Sequence, residues 1–115
     1  MKAIFASLLL FFSVSFAAQA QSKPGTEQVK FKTSAVCDMC KARLEKSLAY
    51  EKGVQSATLD VPSQVLTVSY RADKTNVAAL RTAVQKTGYD ADDQAADAKA
   101  YERLPDCCKK TMGVH

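Results

Sequence analysis

The sequence lacks a second long apolar run, a run of basic residues and an internal repeat. Its 16 lysine and arginine residues are interleaved with 12 aspartate and glutamate residues, so the sequence gives no indication of electrostatic binding to nucleic acid. A chain of 115 residues is long enough for one small domain with extensions. Beyond the apolar N-terminal stretch, nothing predicts stable insertion of the chain into a membrane.

The first 20 residues have the pattern of a secretory signal peptide. Lys2 precedes an apolar stretch over residues 3–16, and Ala18-Gln19-Ala20 supplies small residues at both positions of a cleavage site. A membrane anchor is the alternative, but this stretch is shorter than the roughly 20 residues that a spanning helix needs, and serines interrupt it. We therefore expect a mature chain that begins at Gln21 and resides in the periplasm or the extracellular space.

The mature chain is predicted to open with a flexible lead-in over residues 21–27, which contain serine, proline and glycine. Residues 29–34 alternate apolar and polar side chains and predict a half-buried strand. Residues 38–50 change to the period of a helix, which Asp38 can cap and Gly53 follows. The apolar positions of this helix are Cys40, Leu44 and Leu48.

Two alternating stretches, residues 57–61 and 66–70, flank a turn and predict a β-hairpin. A second helix is predicted from a cap at Thr75 or Asn76 as far as Gly88. Tyr89-Asp90-Ala91 is then predicted as a short last strand. The order βαββαβ predicts an α+β ferredoxin-like sandwich, with one antiparallel sheet and both helices on one face.

An alanine-rich stretch from Asp93 to Leu104 predicts a third helix that docks on the domain through Tyr101 and Leu104. Pro105 ends it. The domain is accordingly placed over residues 28–95, and residues 96–115 form a C-terminal helix and a cysteine-containing tail.

A CxxC motif, Cys37-Asp38-Met39-Cys40, lies where the first strand meets the first helix. Thiolates rather than thiols bind metals and attack disulfides, and the free N–H groups and dipole of a helix N-terminus lower the pKa of a thiol. Lys41 adds a positive charge. A motif of this kind serves as a metal clip, a redox pair or a structural disulfide.

Two features favour a metal site over a thiol redox enzyme. In a thioredoxin-like fold the motif follows a complete strand-helix-strand unit, whereas only one strand precedes it here. Such folds also place a proline beside the motif, and neither Pro62 nor Pro105 is suitably placed. We therefore expect no enzymatic activity. A small extracytoplasmic thiol-disulfide oxidoreductase with Cys37 as nucleophile is the alternative, and a structural module stapled by two disulfides is a third hypothesis.

Several spaced motifs give residues 28–95 a resemblance to the heavy-metal-associated domain family. This family includes copper chaperones, modules of metal-transporting ATPases and the secreted mercury-binding protein. The matching segments are Val36-Cys37-Asp38-Met39-Cys40, Gly53-Val54-Gln55-Ser56-Ala57, Val65-Leu66-Thr67-Val68 and Thr87-Gly88-Tyr89-Asp90. The resemblance implies that Cys37 and Cys40 ligate a soft ion, with Lys86 and Tyr89 approaching the site, and that the ion passes to a metal-transporting membrane protein or another carrier.

The sequence departs from the family pattern before the motif. Family members often have Gly-Met where this chain has Ser34-Ala35, and that methionine packs beneath the metal-binding loop. Ala35 is too small to replace it, so we expect a more mobile loop. Met39 is expected to point outward.

Two thiolates without a neighbouring histidine or carboxylate cluster form a soft site of low coordination number. Cu(I) fits such a site best, and Hg(II), Ag(I) and Cd(II) are alternatives, whereas Zn(II) needs four ligands. A Cu(I) bis-thiolate carries one negative charge, which the helix N-terminus and Lys41 are predicted to balance.

The tail carries two further cysteines, Cys107 and Cys108. Adjacent cysteines are strained when bridged to each other, so we do not expect that bond. They are candidates for additional metal ligands or for disulfides with Cys37 and Cys40. The remaining hypotheses are that the two cysteines have no function or that they form a disulfide with another chain.

Overall fold

The computed structural model describes residues 25–115, in which three antiparallel strands pack against two helices. The elements are β1 (Thr26–Lys32), α1 (Asp38–Ala49), β2 (Val54–Asp60), β3 (Val65–Arg71), α2 (Val77–Thr87) and α3 (Ala98–Glu102). The strand order in the sheet is β1-β3-β2, and this arrangement confirms the ferredoxin-like class. The predicted signal peptide and the first four residues of the predicted lead-in lie outside the described residues.

Apolar side chains alternate along the strands and form rows across one face of the sheet. One row consists of Phe31, Leu66 and Leu59, and the next consists of Val29, Val68 and Ala57. In β3 every second side chain is buried, as the period of two requires when one face covers a core. The hairpin prediction is confirmed, although β2 begins three residues earlier than expected, at Val54.

The two helices bury one stripe each between themselves and the sheet. These stripes are Cys40, Leu44 and Leu48 of α1, and Leu80, Ala83 and Val84 of α2. At the start of α2 the Asn76 side chain accepts a hydrogen bond from the Ala79 amide, which confirms the predicted cap. The cap predicted at Asp38 is wrong, because α1 already includes Asp38 and the capping position is the extended residue Cys37.

The predicted fourth strand is reduced to a single bridge. Ala91 pairs with Thr33, just beyond β1, and with Gln94. Asp92 then adopts a φ of 56°, in the left-handed region, and this turns the chain away from the sheet. The prediction of a strand over residues 89–91 is therefore wrong, although the segment lies beside β1 as that prediction required.

The C-terminal helix is shorter than expected. Gln94 turns back to donate its amide proton to Ala91, so a helix cannot begin at Asp93. Instead Asp97 caps a five-residue α3 by accepting a hydrogen bond from the Ala100 amide. Two single turns of 3₁₀ helix follow, at Asp106–Cys108 and Lys110–Met112. Within residues 25–115, no helix combines the length and apolar character needed to cross a membrane.

At the N-terminal end, β1 begins earlier than the sequence pattern suggested. Thr26 and Glu27, which we assigned to the flexible lead-in, pair with Arg71 and Tyr70 of β3.

Gly88 is where the tail packs against the domain. It ends α2 with a φ of 112°, and a Cβ atom there would lie 3.0 Å from the Ala100 carbonyl oxygen and 3.1 Å from the Leu104 side chain. Leu104 is buried and Tyr101 packs on the core, so the predicted docking of these two side chains is confirmed.

We predict that Gly88→Ala lowers the free energy of unfolding by more than Gly113→Ala does. Both glycines have positive φ, but nothing lies within 4 Å of the Cβ position at Gly113, so only the conformational penalty applies there. At Gly88 the clash adds to that penalty, and the total loss should be about 2–3 kcal/mol. Urea unfolding of both variants measures the difference. Equal losses would show that the tail does not pack closely on Gly88.

Candidate metal centre

The segment that carries the first cysteine, residues 33–37, is buried between β1 and α1 and reaches Cys37 in an extended conformation. The Thr33 hydroxyl donates to the Gln64 carbonyl oxygen at 2.9 Å, and the Gln64 amide group donates to the Ala35 carbonyl oxygen at 2.9 Å. The Ser34 hydroxyl accepts a hydrogen bond from the Asp90 amide at 2.9 Å. These bonds take the place of the bracing methionine, whose absence led us to expect a more mobile loop.

Sequence reasoning missed this bracing role of Gln64. Gln64 lies in the β2–β3 turn and adopts a φ of 63°. Turn residues of this kind are normally solvated, and nothing in the local pattern indicates that the side chain reaches back to a loop 29 residues away.

The two CxxC sulfurs lie together at the N-terminus of α1. Cys37 occupies the capping position and Cys40 the first turn, and their Sγ atoms are 3.4 Å apart. Both residues are buried: Cys40 is fully buried and Cys37 is 6% exposed. Both cysteines are therefore part of the hydrophobic core.

The tail brings one of its two cysteines to this pair. Cys108 is fully buried, and its Sγ atom lies 3.9 Å from that of Cys37. Cys107 points elsewhere, since its thiol lies 3.7 Å from the sulfur of the exposed Met39. All four thiols are free in this structure.

The three clustered sulfurs have the spacing of a three-coordinate soft-metal site. Their Sγ atoms all lie within 4.8 Å of one another. Three thiolates bound in a plane at about 2.3 Å from one ion would be about 4.0 Å apart. The observed separations of 3.4 and 3.9 Å to Cys37 therefore need only small adjustments.

Tyr89 lies fully buried beside the same cluster. Its hydroxyl is next to the sulfurs of Cys40 and Cys108, and burial together with these neighbours raises the pKa of Tyr89, so the hydroxyl keeps its proton. Among the described residues it has no hydrogen-bond partner of good geometry. A buried O–H group without a partner is costly, and a thiolate at either sulfur would supply an acceptor.

The cysteines of the cluster differ in acidity. Burial opposes ionisation of Cys40, but the Val36 amide, the Tyr89 hydroxyl and the thiols of Cys108 and Cys37 stabilise its thiolate and lower its pKa. Burial and the neighbouring Cys40 raise the pKa of Cys108 to about 12. A metal-free cluster at neutral pH therefore favours the thiolate at Cys40 over the thiolate at Cys108.

Lys41 and Lys86, which we expected near the site, make their contacts elsewhere. The Lys41 ammonium group forms an ion pair with Glu45 at 2.6 Å and donates to the Leu59 carbonyl oxygen, so its charge is directed toward β2. Lys86 is exposed in the last turn of α2. The helix N-terminus and the Val36 amide instead direct the partial positive charge of their N–H groups at the sulfurs.

A family model described as "Heavy-metal-associated domain" matches residues 30–90, more than half of the chain. A "Copper-exporting P-type ATPase" of Staphylococcus aureus (strain JH9) is 39% identical over 59 residues, which are 51% of this chain but only 7% of the ATPase. The similarity therefore concerns one small module of that protein.

Solved structures have the same fold. A structure described as "CopZ metallochaperone" superposes with a TM-score of 0.55 at 27% identity, over 56% of this chain and 98% of that one. The N-terminal domain of a potential copper-translocating P-type ATPase from Bacillus subtilis, in the Cu(I)-loaded state, also has a TM-score of 0.55. It is 32% identical and covers 58% of this chain and 85% of its own.

We predict that Cys40 ionises at a lower pH than Cys108 in the reduced, metal-free protein. The ultraviolet absorbance of thiolates, followed as the pH is raised, measures this order. Because the pKa of Cys40 is lowered from 9.0, Cys40→Ala should remove absorbance below pH 9.0. Because the pKa of Cys108 is raised to about 12, Cys108→Ala should remove absorbance only as the pH approaches that value. Loss of the same high-pH absorbance in both variants would contradict this order of ionisation.

Proposed function

The chain belongs to the heavy-metal-associated domain family, and we propose that it is an exported protein that carries or sequesters a soft metal ion, with Cu(I) as the first choice. The observation that carries this proposal is the pair of CxxC sulfurs, 3.4 Å apart at the N-terminus of α1. Soft thiolate ligands select ions such as Cu(I) and Hg(II). Both thiols lose their protons when they bind the ion.

The surroundings of the pair support an anionic complex. Two thiolates around Cu(I) leave one negative charge, and the dipole and free N–H groups of α1 stabilise negative charge at that position. The Val36 amide stabilises the thiolate form of Cys40. Binding of the ion also removes the reactive thiolates from the oxidising conditions outside the cytoplasm.

We choose the ion and the type of partner from the proteins to which this chain is similar. Among the similar proteins are a copper-exporting ATPase, a potential copper-translocating ATPase and a metallochaperone. We therefore propose that the ion is exchanged with a metal-transporting membrane protein or another metal carrier. The handover would proceed by replacement of one thiolate at a time, since a two-coordinate ion has room for an incoming ligand.

We predict that Cys37→Ser or Cys40→Ser abolishes stable Cu(I) binding, because either change removes one of the two thiolates at the N-terminus of α1, and Cys108 lies outside that motif and cannot restore the pair. Competition with a Cu(I) chelator under anaerobic, reducing conditions measures the affinity. Cys107→Ser is the matched control, since its sulfur lies outside the cluster, and it should bind as the unaltered protein does. Unchanged affinity in either CxxC variant would refute the site.

The same preparations separate this function from the alternatives. A thiol-disulfide oxidoreductase would reduce the disulfides of insulin without metal. A structural disulfide module would have no accessible thiols before reduction and would lose about 2–5 kcal/mol of stability per bridge on reduction. Either result, together with an absence of Cu(I) binding, would replace the proposal.

Export is proposed from the N-terminal pattern of Lys2, the apolar stretch over residues 3–16 and Ala18-Gln19-Ala20. We predict that the protein recovered from the periplasm or medium of a bacterial host begins at Gln21. N-terminal sequencing of that fraction measures this. A variant with arginine in place of Ala18 and Ala20 should remain uncleaved, and a full-length N-terminus on the unaltered protein would contradict the prediction.

A further inference from the structure

We propose that Cys108 is a third sulfur ligand, so that the tail completes a three-thiolate site suited to divalent soft ions such as Cd(II). The inference rests on the proposed function, because it assumes that Cys37 and Cys40 bind the ion. It extends that function by adding a ligand from outside the motif and by naming the class of ion that needs it.

The position of Cys108 is fixed by hydrogen bonds of the tail backbone. The Cys37 thiol donates to the Cys107 carbonyl oxygen at 3.4 Å, and the Cys40 thiol donates to the Cys108 carbonyl oxygen at 3.8 Å. The amide of Cys108 donates to the Pro105 carbonyl oxygen at 2.8 Å and closes the 3₁₀ turn. The tail backbone therefore lies directly on the CxxC motif, and the Cys108 side chain is fully buried against it.

Further contacts hold this turn against the domain. The Tyr101 hydroxyl accepts a hydrogen bond from the Lys110 amide, and the ammonium groups of Lys109 and Lys110 each lie 5.7 Å from the centre of the Tyr101 ring. The Lys110 ammonium group also pairs with Asp90 at 3.1 Å. At the C-terminus, the His115 amide donates to the Val36 carbonyl oxygen at 2.8 Å, beside Cys37.

The unpartnered Tyr89 hydroxyl is a second, independent indication of a ligand at this point. It is fully buried and faces the sulfurs of Cys40 and Cys108. An O–H group can donate to a thiolate far better than to a thiol, since the thiolate is a charged acceptor. A metal ion that holds both Cys40 and Cys108 as thiolates would therefore satisfy a donor that has no hydrogen-bond partner in the described part of the chain.

Charge decides which ions gain most from the third thiolate. A divalent ion with three thiolates carries one negative charge, the same as Cu(I) with two. Cu(I) with three thiolates carries two negative charges, and the sulfurs are buried with the Lys41 ammonium group directed away to Glu45. Because uncompensated buried charge is costly, Cys108 should contribute more to the binding of Cd(II) than to that of Cu(I).

The test compares Cys108→Ala with Cys107→Ala in the reduced protein without oxygen. The two positions are adjacent, but only Cys108 belongs to the sulfur cluster. Cd(II) titration followed by the sulfur-to-metal charge-transfer absorbance reports both affinity and the number of thiolates bound. We expect Cys108→Ala to lower the absorbance per ion by one third and the Cd(II) affinity by at least about tenfold, with Cys107→Ala unchanged.

Three results would overturn the inference: equal Cd(II) affinity and absorbance in both variants, equal losses in both variants, or binding of Cd(II) by two thiolates in the unaltered protein. Circular dichroism of each variant identifies a folding defect, and Cys108→Ser then replaces Cys108→Ala as a substitution of nearly the same size. Tyr89→Phe retains the ring and removes the hydroxyl, so it should weaken Cd(II) binding without changing the number of thiolates.

Cu(I) titration of the same variants distinguishes failure of this inference from failure of the proposed function. If Cu(I) binds the unaltered protein and requires Cys37 and Cys40, the proposed function stands whatever Cys108 does. A smaller effect of Cys108→Ala on Cu(I) than on Cd(II) supports the charge argument, and a larger effect on Cu(I) overturns it.

Discussion

The extended segment between β1 and α1 is the constraint on which the site depends. Residues 33–37 are buried without belonging to a helix or a strand ladder, so their backbone polar groups need partners from elsewhere. Gln64 of the hairpin turn donates to the Ala35 carbonyl oxygen and the His115 amide donates to the Val36 carbonyl oxygen, while the Asp90 amide donates to the Ser34 hydroxyl. The metal-binding loop is therefore held by three segments that are distant in the sequence, and the tail is one of them.

Burial makes the chemistry of the cluster sensitive to charge. As neutral thiols the cysteines pack like small apolar side chains, and Cys40 continues the buried stripe of α1. As thiolates they need the helix N-terminus, the Val36 amide and the Tyr89 hydroxyl. A soft cation satisfies the same need more completely, because it cancels charge where the sulfurs converge. The burial and the converging sulfurs that raise the pKa of Cys108 are thus also the features that favour a bound cation.

Local pattern predicted the parts of the fold that local forces determine. The stripes of α1 and α2, the hairpin and the CxxC motif at a helix N-terminus were all readable from spacing, as was the end of α2 at Gly88. The prediction of a last strand was wrong because Asp92 adopts a left-handed conformation, which the neighbouring residues do not indicate. The proximity of Cys108 to Cys37 could not be read from local pattern, since it depends on packing between residues 71 positions apart.

The tail also determines how an ion would leave the site. With Cys37 only 6% exposed and Cys108 fully buried, an incoming ligand reaches the sulfurs only after the tail moves. Beyond Cys108, however, no side chain of the tail is buried. The contacts that hold these residues include the Lys110–Asp90 ion pair, which is partly exposed and of a kind that contributes about 0–1 kcal/mol, and the hydrogen bonds from the Lys110 amide to Tyr101 and from the His115 amide to Val36. Opening the last residues is therefore far less costly than unfolding the domain, since the sheet and both long helices keep their contacts. The tail therefore covers the sulfurs of a buried site and is also a part of the described chain that can open while the rest of the domain stays folded.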